Sequence, residues 1–175
     1  MSQVTRTPSR SLIETLRRYR MSNQVMATAF RALVVLEALS FLIFAVLHLG
    51  VRIPVGFAVV STDRIEDAVI AEGLSGALLS LSAYALVRGR GWALRATVIG
   101  QAFSLVAVLV GIAAIAAGLG PSSVANDVYH RVMAPVLALS LVWMATPAGR
   151  AALQARAVGR RNTGARRDQG IRMIR

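Results

Sequence analysis

The sequence predicts an all-α fold, in which four transmembrane helices form an up-down bundle with both termini in the cytoplasm. Four apolar stretches predict the helices, because each is close to the roughly 20 residues that cross about 30 Å of hydrocarbon. None of them alternates polar and apolar residues, so a helix is the structure that satisfies the backbone in lipid. Residues with turn chemistry separate the stretches. The stretches are residues 32–50, 67–87, 95–119 and 127–146.

The distribution of arginine predicts the orientation of the bundle. All 20 basic residues are arginine, and 17 of them lie in the N-terminal flank, the second connection and the C-terminal tail. The other side of the membrane receives Arg52, Arg64 and Arg131. Basic residues in short loops are retained in the cytoplasm. We therefore expect a multi-pass protein of the cell (inner) membrane.

Composition limits the chemistry that the chain can perform. The 175 residues are 55% hydrophobic and carry a net charge of +12, with a mean hydropathy of +0.59. Cysteine is absent, which excludes disulfides, thiolate metal ligands and cysteine nucleophiles. The sequence has no phosphate-binding loop, nucleophile elbow or dinucleotide fingerprint. Any chemistry therefore depends on histidine, carboxylates or hydroxyls.

Three regions follow from the distribution of charge. They are a basic N-terminal arm (residues 1–31), the four-helix transmembrane domain (32–146) and a basic, disordered cytoplasmic tail (147–175). The tail has no interleaved aromatic residues and no nucleic-acid-binding fold, so we expect no specific nucleic-acid partner.

The N-terminal arm has a helical pattern of its own. Ser11 and Glu14 have the spacing of a capping box, and the apolar residues behind them oppose Arg17, Arg18 and Arg20. This pattern predicts a short amphipathic helix that binds anionic lipids at the cytoplasmic face. The alternative is a solvated arm without a lipid preference.

Ionisable residues within or beside the spans are the candidate functional residues, because charge is costly in lipid. His48, Glu72 and His130 lie within about one helical turn of the same depth, in an outer layer of the bundle. Two histidines and a carboxylate suit a divalent metal, and two histidines suit the axial positions of a haem iron. Asp127 precedes His130 by three residues, and we expect it to orient His130.

An alternative interpretation of the outer layer needs no cofactor. Glu72 would pair with Arg131 across the second and fourth helices, since a guanidinium group matches a carboxylate. The two histidines would then be neutral residues at the wet interface. On this interpretation the outer layer has a structural role.

A second polar layer lies deeper in the bundle. It comprises Glu37 on the first helix and Gln101 on the third, with Tyr84 near the same depth. A hydrogen bond from Gln101 or Tyr84 to Glu37 would join two helices. Alternatively, Glu37 and His48 begin and end a proton path, because they lie about three helical turns apart on one face.

Small residues at three- or four-residue spacing predict close contacts between helices. The second helix has this spacing around Gly73 and Gly76, and the third around Ala107 and Gly111. These stripes serve packing within the chain or, alternatively, a homodimer or larger membrane complex.

Four short motifs carry a resemblance to a known group of proteins. They are Leu36-Glu37, His48-Leu49-Gly50, Glu72-Gly73 and Asn126-Asp127-Val128-Tyr129-His130. Over residues 31–146 the chain resembles small, uncharacterised bacterial four-helix integral membrane proteins, and in layout only it is similar to the DoxX-like group. The resemblance implies the four-helix membrane fold and no established activity.

The sequence thus favours a non-enzymatic membrane scaffold or accessory subunit. One alternative is a haem- or metal-binding, redox-linked protein that uses His48, Glu72 and His130. Another is a small proton-coupled transporter or channel that uses Glu37 and His48.

Overall fold

The computed structural model describes residues 10–56, 58–61, 64–119 and 123–154. Within these ranges, the side chains of residues 10–13, 15–20, 23, 55 and 58 are not described. This part of the chain forms five helices and a short two-stranded ribbon. In chain order they are α1 (Arg10–Leu47), β1 (Ile53–Val55), β2 (Ala58–Val60), α2 (Glu66–Arg88), α3 (Ala93–Ala116), α4 (Val124–Ala145) and α5 (147–154).

Four of the helices are long and apolar enough to cross a membrane. They are Gln24–Leu47 within α1, and the whole of α2, α3 and α4. The helical fold class is thereby confirmed. The predicted ends of the last three apolar stretches agree with α2, α3 and α4 to within three residues.

Helix α1 begins much earlier than the predicted first span. It continues from Arg10 through Arg31 to Leu47 without a break, so the predicted boundary at residue 31 falls inside a helix. Ala27 and Phe30 are buried, and the Phe30 ring lies 4.6 Å from the Trp143 ring. Packing therefore holds this segment helical well before residue 32.

The connection between α1 and α2 forms an antiparallel ribbon, a feature not predicted from the sequence. Ile53 lies opposite Val60, and Gly56 has a positive φ of 59° in the turn. β-Branched residues favour strands, and a glycine is suited to the left-handed conformation. We call this end of the bundle the hairpin end, and the opposite end, where α2 passes to α3, the terminal end.

Glycines set the closest contacts between consecutive helices. A Cβ atom at Gly76 of α2 would lie 2.7 Å from the side chain of Leu42 on α1. A Cβ atom at Gly100 of α3 would lie 3.0 Å from Ser82 Oγ on α2. Any larger side chain at Gly76 would push the helices apart, so this glycine serves packing within the chain.

Aromatic side chains bring α4 against α1. Tyr129 stacks on Phe44 near the hairpin end, with ring centroids 3.7 Å apart and an interplanar angle of 11°. The contact between Phe30 and Trp143 lies near the terminal end. The start of α4 therefore meets the end of α1, as an up-down arrangement requires.

Residues 147–154 are helical, although they belong to the predicted disordered tail. The Thr146 hydroxyl accepts a hydrogen bond from the Gly149 N–H at 3.0 Å, and Ala152 and Leu153 are buried. This cap and the burial of two apolar side chains stabilise α5. The rest of the predicted tail, residues 155–175, lies outside the described residues.

Polar and apolar side chains have an inverted distribution in this bundle. Charged or polar residues are buried between the helices, namely Glu37, His48, Glu72, Ser75, Ser82, Thr97, Gln101, Ser104, Asn126, His130 and Ser140. Large apolar residues such as Leu36, Ile99 and Leu139 are more than 60% exposed. A water-soluble protein rarely exposes apolar surface on this scale.

Candidate functional site

A buried pair of side chains joins α1 and α2 at the hairpin end. His48 directly follows α1, and its N–H still bonds to the Phe44 carbonyl at 2.9 Å. Its Nδ1 lies 2.7 Å from Oε2 of Glu72, one and a half turns into α2. His48 is fully buried and Glu72 is 5% exposed. The helical continuation at His48 thus directs its ring between the helices and onto the carboxyl group.

His130 lies on α4 at the same end but makes a different contact. Its Nδ1 lies 2.9 Å from the carbonyl oxygen of Asn126, one turn earlier. Because a carbonyl only accepts, Nδ1–H donates this hydrogen bond, and Nε2 is an acceptor when the imidazole is neutral. A Cβ atom at Gly111 of α3 would lie 2.6 Å from this Nε2, so the glycine makes room for the imidazole.

The three predicted metal ligands do not form one ligand set. The structure brings His48 and Glu72 together and leaves His130 bonded within its own helix. Among the residues that the structure describes, no three histidine, aspartate or glutamate side chains are grouped closely enough to hold one metal ion.

Asp127 and Arg131 pair with each other. Arg131 Nη2 lies 2.7 Å from Asp127 Oδ2, one turn apart on the solvent-facing side of α4. Asp127 therefore does not orient His130, because its side chain points away from the imidazole toward Arg131. Glu72 does not pair with Arg131 either, since its carboxyl group contacts His48.

A cavity of about 190 Å³ lies beside these side chains at the hairpin end. We call it the hairpin-end cavity. Its polar wall is formed by His48, Asp67, Glu72, Asn126 and His130. The rest of its wall is apolar and comprises Phe41, Ile65, Ala68, Ala71, Ala107, Val108, Val110, Gly111, Ala114, Ile115 and Leu119.

Several buried polar atoms at this cavity have unused hydrogen-bonding capacity. His48 Nε2, Glu72 Oε1 and Asn126 Oδ1 are buried and have no partner among the described residues. Such atoms are rare in folded proteins, because each costs about 1–3 kcal/mol if no water or ligand reaches it. His48, Glu72 and Asn126 all line the hairpin-end cavity, which makes them its candidate ligand-binding residues.

A second polar site, the mid-helix cluster, lies deeper in the bundle. The side-chain amide of Gln101 on α3 donates to Glu37 Oε2 on α1. The Ser140 hydroxyl on α4 lies 3.4 Å from the other carboxyl oxygen of Glu37. The cluster therefore ties three helices together within the apolar part of the bundle.

Tyr84 does not belong to the mid-helix cluster. Its hydroxyl accepts a hydrogen bond from Arg90 at 3.3 Å, and its ring lies 5.9 Å from the guanidinium groups of Arg88 and Arg90. It is 46% exposed near the terminal end of α2. The sequence places Tyr84 near the depth of Glu37, but the Tyr84 side chain points away from the interior.

Tyr129 lies between the two sites. Its ring packs against Phe41 and Phe44, which lie between Glu37 and His48 along α1. The hydroxyl is buried and forms no hydrogen bond within the described part of the chain. A polar group therefore interrupts the apolar stretch between the hairpin-end cavity and the mid-helix cluster.

The predicted lipid-binding arginines cannot be placed beyond their backbone. Arg17, Arg18 and Arg20 lie in α1, but their side chains are outside the described residues. Lipid binding by this segment stays a prediction.

Comparisons with known proteins give this fold no relative. No family model, curated protein or solved structure matches the chain. The resemblance to small four-helix membrane proteins and to the DoxX-like layout therefore stays an expectation.

Three residues of the two sites were not assigned a site role from the sequence. Asn126 precedes His130 by four residues, so helical spacing places both on one face. Tyr129 is the only aromatic residue in the motif that opens α4. Ser140 has no distinguishing signal, because serine occurs in all four apolar helices.

Proposed function

We propose that this chain is a multi-pass membrane protein with both termini in the cytoplasm and the hairpin end outside. The four long apolar helices, their exposed apolar surface and their buried polar residues support a lipid environment. The concentration of 17 arginines in the two terminal regions and the second connection supports this orientation.

The absence of cysteine allows a direct test of the orientation. Ser61→Cys places a thiol in the exposed connection at the hairpin end, and Gly91→Cys places one in the exposed connection between α2 and α3. A membrane-impermeant maleimide should label Ser61→Cys in intact cells. It should label Gly91→Cys only after permeabilisation. The reverse pattern would contradict the orientation, and recovery of the chain without detergent would contradict membrane insertion.

Within the membrane, the chain acts as a non-enzymatic accessory subunit that holds a small molecule in the hairpin-end cavity. The observation that carries this function is the set of buried, unpartnered polar atoms of His48, Glu72 and Asn126 in the cavity wall. The cavity is smaller than the roughly 300–1,000 Å³ of sites for drug-sized ligands. It suits a ligand of about the size of benzene, which occupies a cavity of about 150 Å³ in another protein.

Small aromatic probes test the cavity as a binding site. The three probes are benzylammonium, benzyl alcohol and benzoate. They share a benzene ring and carry a positive, a neutral and a negative group, respectively. At least one of them should bind the detergent-purified protein at a single site, measured by calorimetry. Gly111→Leu should abolish this binding, because its side chain would enter the space beside His130.

Gly73→Leu is the matched control. It makes the same change on α2, where a Cβ atom meets nothing within 4 Å, and it should retain binding. Equal binding by wild type and Gly111→Leu would contradict the cavity as the site.

A second function, proton movement, is favoured by the position of Tyr129 against Phe41 and Phe44, between Glu37 and His48 along α1. Its hydroxyl and that of Ser40 supply groups that exchange protons along the otherwise apolar stretch. In proteoliposomes, Glu37→Gln should abolish a proton flux and Tyr129→Phe should reduce it. Asp127→Asn, at an exposed carboxyl group, should leave the flux unchanged. No flux above that of empty vesicles would contradict this function.

A further inference from the structure

Two unpartnered atoms on residues that line the hairpin-end cavity are hydrogen-bond acceptors. Glu72 Oε1 and Asn126 Oδ1 are unpartnered among the described residues, and both side chains are more than nine-tenths buried. Carboxylate and amide oxygens only accept hydrogen bonds. His48 Nε2 is also an acceptor in the neutral imidazole that donates from Nδ1–H to the Glu72 carboxylate. A complementary ligand must therefore supply several N–H or O–H donors.

Two carboxyl groups line the cavity. Glu72 forms part of its wall and Asp67 stands at its rim, and neither pairs with an arginine in the described chain. Arg64 and Arg131, at the same end, are occupied by carboxylates that do not line the cavity. Glu72 contacts His48, and with a neutral imidazole there its buried carboxylate still lacks a cation, which is costly. A positively charged ligand therefore complements this wall better than a neutral one.

The remaining wall is apolar and limits the ligand's size. Phe41, Val108 and Ile115 contribute to it, and the cavity volume is about 190 Å³. A primary ammonium group carries three donors and no acceptor, as in lysine. We propose that the hairpin-end cavity binds a small protonated primary amine with an apolar body of about the size of a benzene ring. This inference rests on the proposed binding function and specifies the chemistry of the ligand.

Comparison of the three aromatic probes tests this chemistry on the full chain in mild detergent. Benzylammonium should bind at least about tenfold more tightly than benzyl alcohol, because the alcohol lacks the charge and two of the donors. Benzoate should not bind, since its carboxylate would meet Glu72. Calorimetry gives the three affinities under one buffer condition.

Glu72→Gln separates charge from shape. The substitution keeps the side chain's size and its ability to bond to His48, but it removes the negative charge. We expect benzylammonium affinity to fall by at least about tenfold and benzyl alcohol affinity to change by less than about twofold. Glu66→Gln is the control, because Glu66 is an exposed carboxyl group at the same end that does not line the cavity.

Asp67→Asn is a second charge-removing variant, and it tests the same prediction if the buried substitution Glu72→Gln prevents folding. Asp67 is exposed at the rim, so its substitution should leave the fold intact, as checked by size-exclusion chromatography. We expect about a two- to fivefold loss of benzylammonium affinity, which added salt should diminish in the wild type. Unchanged affinity in both Glu72→Gln and Asp67→Asn would overturn the ammonium assignment.

The outcomes distinguish this inference from the proposed function. Benzyl alcohol or benzoate binding as tightly as benzylammonium, with loss in Gly111→Leu, would retain the cavity as a ligand site and overturn the ammonium assignment. No binding by any probe would overturn both. Zn²⁺ or Mg²⁺ alone could instead bind, displace benzylammonium and lose its affinity in Glu72→Gln. This outcome would overturn the amine proposal and favour a metal site.

Discussion

The hairpin-end cavity and the mid-helix cluster use the same type of residue in two different settings. Each contains one buried glutamate bonded to a side chain of a neighbouring helix. At the mid-helix cluster, Gln101 and Ser140 approach both oxygens of Glu37. At the hairpin end, one oxygen of Glu72 is left without a partner in the described chain and a cavity lies beside it. Space beside the carboxyl group, rather than the type of residue, therefore distinguishes the proposed binding site from the packing contact.

The largest expected effect comes from removing the carboxyl group that joins three helices. Glu37→Ala should lower the free energy of unfolding by about 2 kcal/mol, because it leaves the Gln101 amide and the Ser140 hydroxyl without their acceptor. Thermal unfolding in detergent, followed by circular dichroism, measures this loss.

Glu37→Gln is the control for this prediction. It keeps the size of the side chain and a carbonyl oxygen that accepts from Gln101, so it should cost less than half as much. A Glu37→Ala protein as stable as wild type would break the comparison, since the mid-helix cluster would then not hold the helices together.

Glu72→Ala should have a smaller effect on stability, below about 1 kcal/mol. The substitution removes the partner of His48, but water from the adjacent cavity can hydrate the imidazole. The same thermal unfolding experiment compares it with Glu37→Ala. An equal or greater loss would show that the hairpin-end glutamate is also structural, which would remove the distinction between the two sites.

Tyr129→Phe should stabilise the protein slightly, by about 0.5–1 kcal/mol. It removes a buried hydroxyl that has no partner in the described chain, and it keeps the ring that stacks on Phe44. Denaturant titration against wild type measures the gain. A clear loss of stability would indicate that the hydroxyl is hydrogen-bonded in solution, for example through water to one of the two sites.

The smallest effect is expected at the exposed pair on α4. Asp127→Asn should change the free energy of unfolding by less than about 0.5 kcal/mol, because solvent screens the contact with Arg131. It should also leave benzylammonium binding unchanged, since Asp127 does not line the cavity. A large effect on binding would extend the site to the surface of α4.

The sequence predicts how far along its helix each polar residue lies better than it predicts which side chain that residue contacts. Position along a helix follows from a rise of about 1.5 Å per residue, so His48 and Glu72 were correctly placed at one level. The partner depends on how each helix is rotated, and a helix that is apolar on all sides carries little information about rotation. The sequence therefore predicts Tyr84 beside Glu37 and, in one alternative, Arg131 beside Glu72, whereas both side chains lie at the surface.

The ends of the helices are predictable where a glycine or a capping side chain marks them. Gly89 ends α2 in the left-handed conformation, and Ser123 caps α4. The start of α1 is not predictable in this way. Arg31 marks the edge of the predicted first span, but the packing of Ala27 and Phe30 extends the helix past this residue. The ribbon of β1 and β2 is not predicted from the sequence, because a short apolar run fits a strand and a segment at the membrane interface equally well.

The unbroken course of α1 has a consequence for the N-terminal arginines. Its 14 residues before Gln24 add about 21 Å of rigid rod beyond the membrane-length segment, and no glycine or proline between residues 10 and 24 offers a hinge. The backbone of residues 17–20 then lies about 6–10 Å beyond that segment along the helix axis. Any partner of this region would therefore meet a preformed helix that continues the apolar segment.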